Sequence, residues 1–303
     1  MSMSSKWVQR LIQTAPPPIK SWAGSHLPGL SRWLGSRAFH QLDRAALHRF
    51  ARDHAQPGML DHSLAGGLAV IMPCYNHAPY LEATFASLFH QAHRPFQIIC
   101  VDDCSSDDTW ERLHGYADRL PAGIQLTLLR TPANGGQAAA INFGVEHSGA
   151  SLYIVLNDDD YLMHDALEAI WAIMGHRPEV ALLGSAARCW RGDGCPPGDE
   201  AQKRISTLQP TYTSIPLVET VPDSVLRFTH PNDINMTHSG MAFRRSAWQA
   251  AGGYYPDKNQ RVVIFSDRDF QLRVAALFPA ATSVDIPFVY WREGSSVDSG
   301  VYS

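Results

Sequence analysis

Short runs that are apolar at nearly every position alternate with stretches in which apolar residues recur every three to four positions. The runs cover residues 68–72, 96–101, 124–129 and 152–156. Unbroken apolar character over strand length is the pattern of a strand covered on both faces. Between the first two, Leu81, Phe85, Leu88 and Phe89 stand at i, i+4, i+7 and i+8, one face of a helix. Pro79 suits the first turn of that helix. A second helix carries Trp110 and Leu113 behind a cap drawn from Ser105, Ser106 and Asp107. A third carries Ile141 and Val145 behind the tight loop Asn134-Gly135-Gly136. Strands alternating with helices predict an α/β fold with a mostly parallel central sheet flanked by helices.

Beyond the fourth strand the helical pattern returns in Ala166, Leu167, Ile170, Trp171 and Met174. One further strand is expected over 180–187 and a short helix over 245–251, stopped by Gly252 and Gly253. Asp269, Phe270, Arg273, Val274 and Leu277 share helical faces, which sets Asp267 at that helix's N-terminus, where an acid is favoured by the helix dipole. Residues 188–220 lack periodicity and predict a long loop of the functional or mobile kind. Before the first strand, Phe39, Leu42, Ala46 and Phe50 predict a helix over about 36–53. Trp7, Val8, Leu11 and Ile12 beside Lys6 and Arg10 fit a helical extension packed on the domain or a partner subunit, or a short interfacial helix on anionic lipid. The expected organisation is a helical extension over 1–65 and one domain over 66–303.

The polar positions gather where the strands end. Asn76, then Asp102 and Asp103, then Asn134 to Gly136, then Asn157 to Asp160 follow the successive apolar runs. In open parallel sheets the carboxyl ends of the strands form the ligand crevice. Asp158, Asp159 and Asp160 in a row stand either for a solvated turn or for a cleft holding a divalent cation, since adjacent carboxylates repel unless neutralised. Mg²⁺ and Mn²⁺ take oxygen ligands and bridge carboxylates to phosphates.

Composition narrows this picture by exclusion. A net charge of −4 over 303 residues, with no sustained Lys/Arg stripe, argues against nucleic acid as a partner. The five cysteines are odd in number and lack metal-type spacing, as expected of reduced, cytoplasmic chemistry. No run approaches the ~20 apolar residues of a membrane span, so the expected location is the cytoplasm, with residues 1–35 as the candidate for peripheral contact at the inner membrane face.

Six motifs taken in order resemble family 2 glycosyltransferases of the GT-A fold. They are PCYN at 73–76, VDDCSSDDT at 101–109, NGGQAAAINFG at 134–144, LNDDDYLMHDAL at 156–167, GMAFRRSAWQAAGGY at 240–254 and SDRDFQLR at 266–273. The resemblance spans about 68–295. It implies a nucleotide-sugar-binding half over 66–170 and an acceptor-binding half over 171–303. It further implies Mn²⁺ or Mg²⁺ as cofactor, and an inverting hexosyltransferase-type reaction from a nucleotide-sugar, uridine being the commonest base, to a glycan or lipid-linked acceptor in polysaccharide synthesis.

Residue by residue, the resemblance sets Pro73, Tyr75, Asn76, Asp102, Asp103, Asn134, Gly135, Gln137, Asn157 and Asp158 beside the donor nucleotide. It sets Asp159 on the metal as principal ligand, with Asp158 or Asp160 assisting, and Asp267 as the general base. This chain departs from the family at Asn157, where an acid is usual, at Ser266, where a Glu is usual, and in having no histidine after His238. Glu293 stands near the place of that late histidine and is the expected substitute ligand. Arg244, Arg245 and Arg292 are candidates for the diphosphate. Trp248, Tyr254, Tyr255 and Trp291 are either sugar platforms or core, and His230 reads as structural. The departures leave a second expectation open, a non-catalytic glycosyltransferase-like nucleotide- or carbohydrate-binding module. A nucleotidyltransferase would need a Gly-rich basic loop after the first strand, and a dinucleotide-dependent dehydrogenase a GxGxxG there; PCYNHAPY offers neither.

Overall fold

The computed structural model describes residues 41–55, 58–192, 194–196 and 203–294. The expected strands are present as β1 (Leu68–Cys74), β2 (Phe96–Asp102), β3 (Ile124–Arg130) and β4 (Leu152–Val155). They pair in parallel in the order β3-β2-β1-β4. Side chains alternate across each strand. Val70, Met72, Ile98, Cys100 and Ile154 therefore enter one core, while Ala69, Ile71, Ile99, Val101 and Val155 enter the other. Both faces are covered, which is why these runs are apolar at consecutive positions.

The intervening helices are α1 (Arg44–His54), α2 (Leu81–Phe89), α3 (Thr109–Gly115), α4 (Gly136–Glu146) and α5 (Ala166–His176). Helix α2 places Leu81, Phe85 and Leu88 against the first core, as does α5 with Leu167, Ile170 and Met174. Helix α4 closes the second core, and Gly144 lets it approach: a Cβ there would stand 3.1 Å from Val101.

The expected strand over 180–187 is two strands in two sheets. β5 (Tyr161–Leu162) and β6 (Leu182–Ser185) precede β7 (Ala187–Trp190), and the chain leaves the large sheet at Ala186. β6 pairs with β10 (Ala280–Ser283), while β7 pairs with β11 (Val289–Arg292) in a small sheet ordered β5-β11-β7. Residues 188–220 are also less bare than their composition implies, holding a helical turn at Ile205–Leu208 and the edge strand β8 (Val218–Thr220). Strand β9 (Ala242–Arg244) runs antiparallel between β4 and β6 and completes an eight-stranded sheet. Helices α6 (Arg245–Ala250) and α7 (Ser266–Ala275) follow.

Helix α1 begins at Arg44, later than the expected 36, and the Trp7–Ile12 segment lies outside the described residues. Asp43 caps it by accepting from Ala46 N at 2.9 Å. Leu47, Phe50 and Ala51 pack into the second core, so this part of the extension is built onto the domain. Among the described residues no helix is long and apolar enough to cross a membrane.

Buried and half-buried arginines fasten the C-terminal half of the domain. Arg244 donates to the carbonyls of Val180 at 2.8 Å and Met174 at 2.7 Å. Arg245 bonds Tyr153 Oη at 2.8 Å. Both are spent on structure, so the expectation that one reaches a diphosphate is not met. Arg273 is wholly buried on α7, paired with Asp269 at 2.8 Å, bonded to the carbonyls of Ala251 and Gly253, and stacked on Tyr255. Removing one partner of a buried pair leaves an uncompensated charge, which costs about 3–5 kcal/mol. Asp269→Ala is expected to lower unfolding stability by that amount in urea titration; a loss below 1 kcal/mol would show that the carbonyls alone satisfy Arg273.

Candidate active site

The parallel register sets the tips of β1, β2 and β4 side by side: Cys74 pairs with Asp102, and Ile71 with Val155. Their carboxyl ends open into a cavity of about 570 Å³. Pro73, Tyr75, Asp103, Asn134, Gln137, Asn157, Asp158, Asp159 and Asp267 all line it.

Adjacent acids at the end of β2 face opposite ways. Asp103 lines the cavity and accepts from Gly136 N at 2.6 Å, Gly135 N at 3.1 Å and Thr131 Oγ1 at 2.7 Å, which holds the loop before α4. Gly136 has φ +78, a left-handed conformation that suits glycine. Asp102 points away, is fully buried and pairs with Arg130 at 3.0 Å, so it is not a cavity residue as expected. Asn76 is likewise committed elsewhere. At φ 55, which Asn tolerates, its Oδ1 accepts from Ser106 N at 2.8 Å and from Asp107 N at 3.3 Å. It shapes the loop after β2 rather than the cavity wall.

The three consecutive acids after β4 have three environments. Asp158 accepts from Tyr75 N at 3.2 Å and bonds His77 Nδ1 at 2.7 Å. Burial pushes its carboxyl up to about 6, against the opposing pull of His77. Asp159 lines the cavity, while its backbone carbonyl accepts from Arg292 Nε at 2.9 Å. Asp160 turns under the cavity floor, fully buried, and accepts from Arg292 N at 2.9 Å. Burial and the neighbouring Asp159 push its carboxyl well above the ordinary range.

The acids that converge with a third donor are Asp158 and Asp159. With His77 they offer ligand atoms within 4.8 Å of one another. Of the two expected assisting acids this cluster holds Asp158 and not Asp160, and it does not hold Glu293. Asp160 is held beneath the site by the small sheet, and Glu293 pairs with Arg191 at 2.6 Å outside the cavity. The imidazole comes instead from the loop after β1. The signal available in the sequence is the histidine that closes PCYNH at 73–77. Arg292 is buried between the rings of Tyr80 and Trp190, at 4.7 and 4.4 Å, and supports the floor.

Asp267 is the second residue of α7 and stands where this cavity meets another of about 710 Å³. Asn157, Gln137 and Trp291 share that seam, with Gln137 Nε2 donating to Asn157 Oδ1 at 2.9 Å. Trp291 is 41% exposed there, whereas Tyr254 is buried against Phe270 and Trp248 bonds Asn142. His238 is buried with Nε2 3.0 Å from Tyr254 Oη, and burial pulls its pKa down. His230 caps a 3₁₀ turn.

A family model described as Glycosyl transferase family 2 matches residues 69–249. An uncharacterised glycosyltransferase of Haemophilus influenzae is 31% identical over 122 residues, 40% of this chain and 48% of that protein. The putative teichuronic acid biosynthesis glycosyltransferase TuaG of Bacillus subtilis is 35% identical over 101 residues, 33% of this chain and 39% of that one. The chain thus spans under half the length of these relatives. Among solved structures, Staphylococcus aureus TarS with UDP-GlcNAc superposes at TM-score 0.54 and 19% identity, covering 75% of this chain and 58% of that one. The mannosyltransferase PcManGT of Pyrobaculum calidifontis, with GDP-Man and Mn²⁺, superposes at 0.53 and 18%, covering 85% and 70%. The fold is the expected GT-A fold.

The Asp158 environment has a sign that can be measured. A carboxyl at about 6 in the folded chain, against about 3.9 unfolded, binds its proton more tightly when folded. It favours folding below about pH 4, and that contribution is lost as pH rises through 6. In EDTA, wild type should lose about 2 kcal/mol relative to Asp158→Asn between pH 4 and 7. A difference that does not vary with pH would exclude the raised carboxyl.

Proposed function

The chain belongs to glycosyl transferase family 2, and on that premise we propose that it transfers a sugar, with inversion, from a nucleotide-sugar to a hydroxyl group in cell-surface glycan synthesis. The observation that carries this reading is the place of Asp267, at the seam between an acidic cavity and a second, open one. A displacement at an anomeric carbon needs the leaving diphosphate on one side of the reacting atom and the attacking hydroxyl on the other. A base at the junction reaches the hydroxyl.

The acidic cavity is the donor site. Among its described lining residues are Asp103, Asp158 and Asp159 and no Lys or Arg. A diphosphate enters such a wall only with a cation. The donor set fits one: carboxylates and an imidazole suit Mn²⁺, with Mg²⁺ served by the oxygens alone. His77, Asp158 and Asp159 would hold it, and when bound it would neutralise the departing diphosphate. Asp103 and the Gly135–Gly136 amides it organises take the nucleoside end, with Tyr75 beside the base. Asn157, lacking charge, is oriented by Gln137 and offers its amide to a ribose or sugar hydroxyl. Asp267 accepts the acceptor proton as the new C–O bond forms and the bond to diphosphate breaks. The TarS and PcManGT complexes hold UDP-GlcNAc and GDP-Man, and TarS acts on poly(ribitol-phosphate). These support a nucleotide-sugar donor, uridine-linked in our reading.

A thermal-shift panel of UDP, dTDP, GDP, CDP and CMP, each with Mn²⁺, Mg²⁺ or EDTA, tests the donor site. One nucleotide should stabilise the chain only with metal, by about 2.7 kcal/mol at a hundredfold excess over Kd. Asp159→Ala should abolish that metal-dependent shift; an undiminished shift counts against the assignment. Asp267→Asn should keep the shift and lower kcat by about 10²–10⁴-fold, and near-wild-type turnover would remove Asp267 from the mechanism.

A further inference from the structure

The second cavity has the opposite charge. Lys258, Arg261 and Arg268 line its wall, and Asp267 is the one carboxylate among its described lining residues. In a chain of net charge −4 this local excess is not a property of the bulk composition. Both arginines are fixed in place. Arg261 donates to the carbonyls of Tyr255 at 2.6 Å, Ile264 at 2.7 Å and Pro256 at 2.9 Å. Arg268 donates to the carbonyls of Ile234 and Met236 and to Gln271 Oε1 at 2.8 Å.

Carbonyl bonds set geometry but do not neutralise a charge. Among the described residues neither arginine nor Lys258 makes an ion pair. Burial disfavours the charged form of both guanidiniums, most clearly at Arg268. Carboxylates act on them only from beyond ion-pair distance, Asp267 on Arg268 and Asp269, Asp267 and Asp257 on Arg261, so part of the burial cost stands until an anion makes direct contact. A second observation is independent of charge. Ile264 and Trp291, both large and exposed, stand on this same cavity. The wall thus joins an apolar platform to rigid oxyanion donors, a combination suited to a sugar or polyol that carries an acidic group.

We propose that this cavity is the acceptor site and selects an acceptor bearing an oxyanion, a phosphate ester or a carboxylate, beside its reactive hydroxyl. The inference rests on the transferase reading above and names its substrate class. The split of charge follows: the donor's diphosphate is met by a cation brought to the acidic cavity, and the acceptor's anion by the protein's own cations. Asp267 lies between them.

The test is ligand-observed NMR titration of the full chain with diamagnetic Mg²⁺, first without and then with a saturating amount of the nucleotide found in the panel. The probes are sn-glycerol 3-phosphate against glycerol, and glucuronate against glucose. At least one charged probe should bind about tenfold or more tightly than its neutral counterpart, as charge-assisted hydrogen bonds allow. The difference between the phosphate and carboxylate arms identifies the anion. Arg261→Gln should weaken that probe about tenfold with the nucleotide shift unchanged. Lys258→Gln, at an exposed position, should weaken it severalfold and stands if the arginine variant fails to fold. Equal affinity for charged and neutral probes overturns the proposal, as does displacement of the charged probe by the nucleotide. Absence of nucleotide binding with probe binding intact would instead overturn the transferase reading and leave the anion site standing.

Discussion

The constraint on which the rest of this structure depends is the repulsion among three consecutive carboxylates at the tip of β4. Like charges in low-dielectric surroundings cannot all ionise uncompensated. The fold separates their fates. Asp158 is met by His77 and the Tyr75 amide, and Asp160 is turned beneath the floor onto Arg292 N. Asp159 is left on the cavity wall. The small three-stranded sheet exists in the right place to do this, since β11 brings Arg292 under the turn while β5 follows directly from it. Thr84 ties the turn from the other side, donating to the carbonyls of Asp158 at 3.0 Å and Asp160 at 2.8 Å. The result is a carboxylate pair with an imidazole beside it, held by bonds from several elements.

Arginine is used in two distinct ways across the chain. Arg244 and Arg273 are buried in the C-terminal half and spend their donors on carbonyls or on Asp269. They lock β9 to α5 and α7 to the turn after α6, so that Asp267 sits on a rigid helix start rather than on a loop. Arg261 and Arg268 are also held by carbonyls, yet they face open space. Geometry is fixed in both cases; a carboxylate meets the charge directly at Arg273, whereas Arg244 is closed off from any cavity and Arg261 and Arg268 line an open one. That difference separates scaffold from recognition more sharply than sequence position does, since Arg268 and Arg273 lie on one helix.

Much of this was legible from residue order. Strand positions followed from apolar runs, because a central parallel strand must be apolar on both faces and few other elements are. Asp267 at a helix start followed from the spacing of Asp269, Phe270, Arg273 and Val274. The loss of charge at Asn157 was visible by inspection. These are properties of local periodicity, and local periodicity is what backbone hydrogen bonding and burial read directly.

What tertiary structure alone decided is which of neighbouring candidates faces the cleft and what each one meets there. Asp102 and Asp103 look alike in sequence, but successive side chains of a strand point to opposite sides, and only the sheet's surroundings say which side holds the cavity. His77 joins Asp158 across 81 residues because β1 and β4 pair in parallel register and carry their tips to one edge. Glu293 fell outside the site because β11 ends beside Arg191, not beside the acids. The contrast between an acidic and a basic cavity arises in the same way, from loops brought together by pairing between distant strands. Sequence determined the elements through short-range pattern; long-range register determined the chemistry of the space between them.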